Sequence, residues 1–402
     1  MPDNLILNWI IHQTLHLKTN FFILLFLPIV SFSQFDSIDV PSHDFIYEIE
    51  LENGLCKGPG WDSIAKHYRE NQLFGLGEIH GTKEVASFFR QLLLEQKVDH
   101  YITEIDSLTM TIINRDLAFS DTVLAEHPGS YAMYSYSEER YLLTDLKERQ
   151  TMFYGIDEVH AISIRILMAE LLKDRSLKHK HREKLREFIE DYNLAIQNAK
   201  VLDLISSKTR KKLKKLLQKI KQKDLGGKSI AIDFIENNWH YYLMKTRSEM
   251  MRNKSNQLLD QIDLTDSTKV VFKFGASHLA RTRNSAKLKD VGYEMDAFAK
   301  KKKDVSSYHL LTLIVEGNIA LPAAMGGSNA VAFDIRNDPF SAHLIPFGGA
   351  FKKESCLFFD LKSFSKMLEN KDAILKPGIQ KLLRDYDGVV MFRKGTASPI
   401  GD

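Results

Sequence analysis

Five side chains able to handle protons or charge follow short apolar runs in this sequence: Glu78 and His80, Glu104, Asp157, and His278. The first two lie in QLFGLGEIHGTKE (Gln72–Glu84), a carboxylate and an imidazole two residues apart in a glycine-rich turn. An imidazole titrates near neutral pH and can take a proton from water, while a neighbouring carboxylate fixes its tautomer and steadies the imidazolium. His80 with Glu78 or Glu104 has that composition, and His278 could orient the water or stabilise an anionic intermediate. The same four residues, His80, His278, Glu78 and Glu104, could instead ligate a divalent metal. No HExxH or clustered ligand spacing favours metal, and spacing leaves that choice open. A serine nucleophile has little support, because Gly-x-Ser-x-Gly is absent and Ser277 beside His278 is no triad signature. Each residue also has a blander role: a lone histidine after a strand is more often structural, and Glu104 or Asp157 could cap a helix. Their joint occurrence at equivalent strand ends argues for a pocket.

The elements that must position them can be read from periodicity. Leu73–Leu76 predicts a buried strand, and Val85, Phe88, Phe89, Leu92 and Leu93 recur at helical spacing behind it. A second strand ends at Glu104, a third covers Met152–Asp157, and Lys269–Phe274 delivers Gly275–His278 to its carboxyl end. Open α/β sheets bind ligands at that edge. Tyr308–Glu316 and Gly388–Phe392 are further strands, with Asp334–Gly349 and Leu357–Phe359 as weaker candidates. Helices are expected over Trp61–Arg69, Glu138–Arg149, much of 230–262, Lys362–Glu369 and Leu375–Arg384, with a loop near His127–Ser130. Residues 35–57 read as a polar lead-in. The fold class that follows is α/β: a mixed, largely parallel central sheet flanked by helices, with a basic helical insertion at about 160–227. Ile164, Leu167, Met168, Leu171 and Leu172 form one apolar stripe there, and Leu213, Leu216, Leu217 and Ile220 form another. The second stripe sits inside KTRKKLKKLLQKIKQK (Lys208–Lys223), a basic amphipathic pattern that can contact membrane surfaces. Packing of the stripe against a neighbouring helix is the favoured reading.

At 402 residues, 44% hydrophobic and 27% charged, the chain can bury a large core, and residues 34–402 are read as a single domain. A net charge of +3 makes no case for nucleic acid. Cys56 and Cys356 are too few for a disulfide framework, and two buried thiols are the simpler expectation than a pair. Residues 18–33, KTNFFILLFLPIVSFS, carry a lysine, a short apolar run, and Ser31 and Ser33 before Gln34, as a secretory signal peptide does. The 17 residues ahead of it are unusual for a signal and suggest an over-extended start. An N-terminal membrane anchor is the alternative, and either reading places the body outside the cytoplasm: periplasmic, in the cell envelope, or secreted.

GLGEIHGTKE (Gly75–Glu84) followed by YITEID resembles the opening of the erythromycin esterase-like family. FYGIDEV is similar to that family's later Gly-x-Asp strand, and TRSEMMRNKSNQLL (Thr246–Leu259) to its Arg-x-x-x-Met-x-x-Asn helix. KFGASHLAR and YDGVVMFRKGTAS resemble its second-histidine and C-terminal strands. The first turn is one residue shorter than the common form, and Lys83 stands where arginine is usual. The resemblance implies a hydrolase of esters or related acyl bonds in small molecules, needing no cofactor, with His80 as general base. It also implies that Glu78, Glu104 and His278 support catalysis, while Lys83, Glu84, Asp157 and Arg247 line the substrate site. Gly-Ala-Ser-His further resembles a wider superfamily with haem-uptake ChaN-like proteins and TIKI/TraB metalloproteases. That likeness implies two alternatives, a metal-dependent hydrolase and a non-catalytic haem- or ligand-binding envelope protein.

Overall fold

The apolar runs ahead of the chemical residues are too continuous for strands exposed on one side, and they lie in a sheet covered on both faces. The computed structural model describes residues 44–115, 131–159, 163–198, 207–238, 244–320, 330–337, 356–369 and 375–399, except positions 53, 228, 285, 303 and 376. The strands are β1 (Ile46–Glu52), β2 (Leu55–Lys57), β3 (Leu73–Glu78), β4 (His100–Thr103), β5 (Met152–Gly155), β6 (Val270–Gly275), β7 (Ser307–Ala320), β8 (Ala330–Asp334), β9 (Cys356–Asp360) and β10 (Gly388–Gly395). They form one sheet in the order β2-β1-β9-β10-β7-β3-β6-β4-β5, with β8 pairing the end of β7. From β10 to β5 every neighbouring pair is parallel, whereas β1, β2, β8 and β9 make antiparallel pairings. The expected mixed, largely parallel α/β sheet is therefore what forms.

Successive strand residues point to opposite faces, and the core divides accordingly. Phe74, Leu76, Tyr101 and Val271 enter one apolar cluster; Leu73, Ile102, Val270 and Phe272 enter another. The first face is covered by α1 (Pro59–Glu70), α2 (Lys83–Leu94) and, beyond α3 (Ser107–Arg115), by α4 (Ser137–Glu148). Val85, Phe88, Phe89, Leu92 and Leu93 of α2 are all buried there, as their spacing predicts. Four helices follow among the described residues: α5 (Ile164–Leu172), α6 (His179–Gln197), α7 (Ser207–Lys223) and α8 (Ile230–Asn238). Leu213, Leu216, Leu217 and Ile220 of α7 are buried with Ile164, Leu167 and Met168 of α5. The apolar stripe of the basic helix is thus spent on packing, and only its charged side faces outward. The second sheet face is covered by α9 (Met244–Gln261) and α10 (Val291–Lys301), which contribute Met251, Leu259, Met295 and Phe298. Two helices, α11 (Leu361–Glu369) and α12 (Pro377–Asp385), lie between β9 and β10 among the described residues.

Two expectations change. The polar lead-in contains a hairpin, β1–β2, in which Ile49 and Cys56 are buried among exposed glutamates and lysine. So little apolar patterning is what an edge hairpin needs, and it left no strand signal. In Asp334–Gly349 the strand lies upstream, as β8, and Ile335–Asn337 is a short 3-10 turn; 338–349 lies outside the described residues. So do the 18–33 segment and the His127–Ser130 loop. Among the described residues no helix is long and apolar enough to cross a membrane. Cys56 and Cys356 are buried and free. They pair with opposite edges of β1, at Leu51 and Ile49, so two strand spacings, about 10 Å, separate them. A disulfide needs Cα atoms within about 7 Å and cannot form in this arrangement.

One glycine locks the turn after β3. Gly81 has φ +81°, and its carbonyl accepts bonds from Ala320 N (2.8 Å) and Ser398 N (3.0 Å). A Cβ there would lie 2.0 Å from the Ala320 carbonyl oxygen. Gly81→Ala should cost at least about 2 kcal/mol of stability, from the left-handed backbone and the backbone clash together. Urea unfolding of the purified variant measures it, and an unchanged midpoint would mean that the turn tolerates a side chain.

Candidate active site

Register brings the chemical residues together. In adjacent parallel strands Glu78 of β3 stands beside Gly275 of β6, and Thr103 of β4 stands beside Lys273 of β6. Glu104 follows β4 and Asp157 follows β5, while His278 sits in the 3-10 turn Ala276–Leu279 after β6. The neighbours β3-β6-β4-β5 thus present Glu78 with His80, His278, Glu104 and Asp157 along one edge. Arg247 reaches the same edge from the first turns of α9. All the residues expected at strand ends meet.

Glu104 is the centre. Its Oε2 accepts from Gly275 N at 2.6 Å and lies 3.5 Å from His80 Nε2; its Oε1 accepts from Arg247 Nη2 at 2.6 Å and lies 3.3 Å from His278 Nε2. Arg247 also grips Asp157 with two bonds, Nε to Oδ1 at 2.8 Å and Nη2 to Oδ2 at 2.6 Å. This planar fork explains why an arginine serves here, since a lysine offers a single point charge. Close approach explains Gly275: a Cβ would come within 2.9 Å of His80 Nε2 and 3.3 Å of Glu104 Oε2.

His80 Nδ1 bonds Glu78 Oε1 at 2.8 Å, and its side chain is 29% exposed, against 1% for Glu78, 9% for Glu104 and 6% for His278. His80 is therefore the group a ligand meets first. Burial opposes its charge, yet the bonds to Glu104 and Glu78 prevail and raise its pKa to about 9. His278 behaves alike: burial disfavours the imidazolium, but Glu104 and Asp290 raise it to about 10. Doubly protonated, His278 donates to Asp290 Oδ2 (2.9 Å) and toward Glu104. The 3.3 Å approach of Arg247 Nη1 to its Nε2 is then a contact between two donors, not a hydrogen bond. Burial would raise the Glu104 carboxyl, but His278 and Arg247 hold it well below the usual carboxylate range.

Several partners escaped the sequence reading. Asp290 caps α10 through Val291 N, and its Oδ2 also accepts from Ser248 Oγ (2.7 Å) and Asn284 Nδ2 (3.0 Å), so His278 is tied to a rigid helix start. Lys273, with no side-chain exposure, donates to Glu78 Oε1 at 2.6 Å and to Glu139 Oε1 at 2.8 Å. A lysine in the middle of the apolar strand VVFKFG was the available signal, because a charge there has to meet a buried counter-charge. Glu139 had no such mark on its surface-patterned helix. Lys83 and Glu84 stand elsewhere: they open α2, Glu84 Oε2 accepts from Thr396 N at 2.8 Å, and no hydrogen bond or ion pair joins either to this network among the described residues.

The four residues named as alternative metal ligands do not fit a cation. Lys273 already occupies Glu78 Oε1, Arg247 and Gly275 N occupy the two oxygens of Glu104, and among the described residues no group of three or more His, Cys, Asp or Glu side chains could hold a metal ion.

No family model matches the sequence, and no curated protein matches it. Solved structures do. A mutant of erythromycin esterase EreC in its open conformation superposes with a TM-score of 0.50 at 15% identity, over 89% of this chain and 99% of that one. A Bacillus cereus protein gives 0.47 at 17% identity over 88% and 97%. ChaN of Campylobacter jejuni, solved with cofacial haem, gives 0.32 at 10% identity over 87% and 98%, too low to bear on a cofactor. At these identities the EreC match speaks to fold: this chain has the same α/β architecture.

The buried lysine yields a test. Lys273→Met would leave Glu78 and Glu139 facing each other with no cation between them, at a cost of about 3–5 kcal/mol near pH 7. Lys273 holds Glu78 below its ordinary value despite burial, so the lost stabilisation is one present above the unfolded pKa and absent once the carboxyl protonates. The gap between variant and wild type in urea should therefore narrow as pH falls toward 4. A gap independent of pH would mean that packing, not charge, is what Lys273 provides.

Proposed function

Starting from a fold shared with erythromycin esterase EreC, we propose that this protein is an exported hydrolase that cleaves an ester or related acyl bond of a small molecule, with His80 exchanging the proton. The observation that carries the proposal is the placement of His80: it is the most exposed member of a buried ionic cluster, with a carboxylate at each ring nitrogen. When His80 is neutral, its Nδ1–H donates to Glu78, and its Nε2 lone pair faces Glu104 Oε2 at 3.5 Å. That lone pair then needs a donor, and Glu104 Oε2, which already accepts from Gly275 N, can accept a second bond, so one water donating to both fits between them. That water is the nucleophile.

As the water oxygen bonds to the carbonyl carbon, its proton passes to His80 Nε2 and the carbonyl electron pair moves onto oxygen. His278 and Arg247 supply positive charge for that oxyanion. Collapse breaks the carbon–oxygen bond to the leaving alcohol, and the proton on His80 goes to the departing oxygen, leaving acid and alcohol. Glu78 holds the tautomer throughout, and Arg247 fixes Glu104 and Asp157. Export rests on the signal-like pattern of residues 18–33.

A screen of p-nitrophenyl esters and lactones supplies the substrate. On any ester so found, His80→Ala should lower kcat by at least about 100-fold; undiminished activity would refute the role of His80. Because a base must be unprotonated, kcat/KM should rise about tenfold per pH unit and level off near the His80 pKa of about 9. A rate that instead falls from pH 7 upward would identify the imidazolium, acting as acid, as the working form.

A further inference from the structure

Behind His80 a hydrogen-bonded chain runs into the core: His80 Nδ1 to Glu78 Oε1 (2.8 Å), Glu78 Oε1 to Lys273 Nζ (2.6 Å), and Lys273 Nζ to Glu139 Oε1 (2.8 Å). Glu139 ends it. Its Oε2 is buried and bonds to nothing among the described residues, although the residue is only 4% exposed. A buried carboxylate oxygen without a donor is costly, and a proton on that oxygen is the simplest relief. We propose that Glu139 is a positioning residue for His80, a proton-storing end to this chain whose charge state, relayed by Lys273 and Glu78, sets how firmly His80 holds its own proton.

The surroundings favour one loosely held proton. Lys273 and Glu78 face Glu139 from the sheet, and His80 faces it from the turn after β3. The phenols of Tyr101, Tyr134 and Tyr136 are the other titratable groups near it. Tyr134 is bonded to Thr103 and Tyr101, and Tyr136 donates to the Ala320 carbonyl, so none of the three is bonded to Glu139. Lys273 lies 5.7 Å from the ring centre of Phe89 and 5.9 Å from that of Tyr134, which keeps water from screening the chain. Burial lifts the Glu139 carboxyl to about 7, with Lys273 pulling the other way. Around neutral pH, then, Glu139 changes charge while His80 remains an imidazolium. An ionised Glu139 adds one more negative charge behind His80 and strengthens its hold on the proton.

The role is tied to the hydrolase reading, but its test needs no substrate. The His80 ring can be titrated by NMR in the full-length protein labelled at histidine carbon. The wild-type His80 signal should show two inflections, a small one near pH 7 from Glu139 and a large one near 9. In Glu139→Gln, which keeps the bond to Lys273, the first should vanish and the second should move down by about half to one pH unit. On an ester substrate, kcat/KM of that variant at pH 8 should rise about two- to fivefold, since more His80 is neutral. A purely structural Glu139 would shift the unfolding midpoint and leave the His80 titration where it was. A His80 titration unchanged in Glu139→Gln overturns the proposal, as does a single wild-type inflection should the variant fail to fold. Two inflections in a protein that hydrolyses no ester would keep the relay and refute only the esterase reading.

Discussion

The structure turns on charges removed from water at the carboxyl edge of a parallel sheet. The side chains of Glu78, Glu104, Asp157 and Asp290 are at most 9% exposed, and each is met by a cation or imidazolium: Lys273, Arg247, His80 or His278. A buried carboxylate without such a partner would simply take up a proton. Removing any one cation therefore strands a neighbour's charge, so the cluster behaves as a unit. The elements that deliver the cations, the middle of β6 and the first turns of α9, are set by this need as much as by packing.

Rigidity follows from the same requirement. Arg247 fits Asp157 and Glu104 only if β4, β5 and α9 keep their relative places, and His278 reaches Asp290 only if α10 starts where it does. The glycines at the edge serve closeness: Gly275 lets His80 and Glu104 approach the strand, and Gly81 lets the turn after β3 press against the ends of β7 and the C-terminal segment. Against this fixed background His80 alone has substantial exposure. A preorganised charge cluster with one accessible proton carrier suits polar bond cleavage, where reorganising the surroundings during reaction would slow the step.

Fold and site were legible to different depths. The strands β3, β4, β5 and β6 showed as apolar runs ending in a polar residue, and their ends do converge as that pattern predicts. Strand pairing order did not show: β6 comes late in the chain yet inserts between β3 and β4, which is what sets Lys273 beside Glu78. The β1–β2 hairpin was invisible because an edge needs only Ile49 and Cys56 inside. The packed side of the basic helix α7 is legible, since its leucine and isoleucine spacing demands a covering surface, and those four residues are buried.

The sequence by itself determined which residues stand at strand ends, that His80 has a carboxylate two residues before it, and that the chain builds an α/β sheet. Those follow from periodicity, a local property. Only the tertiary structure decided which carboxylate meets which nitrogen, that both histidines are held protonated, and that Lys273 and Glu139 extend the site inward. Proton affinity inside a protein depends on burial and on charges a few ångströms away. Here those charges come from positions as much as 195 residues apart, such as Glu78 and Lys273, which no local pattern connects.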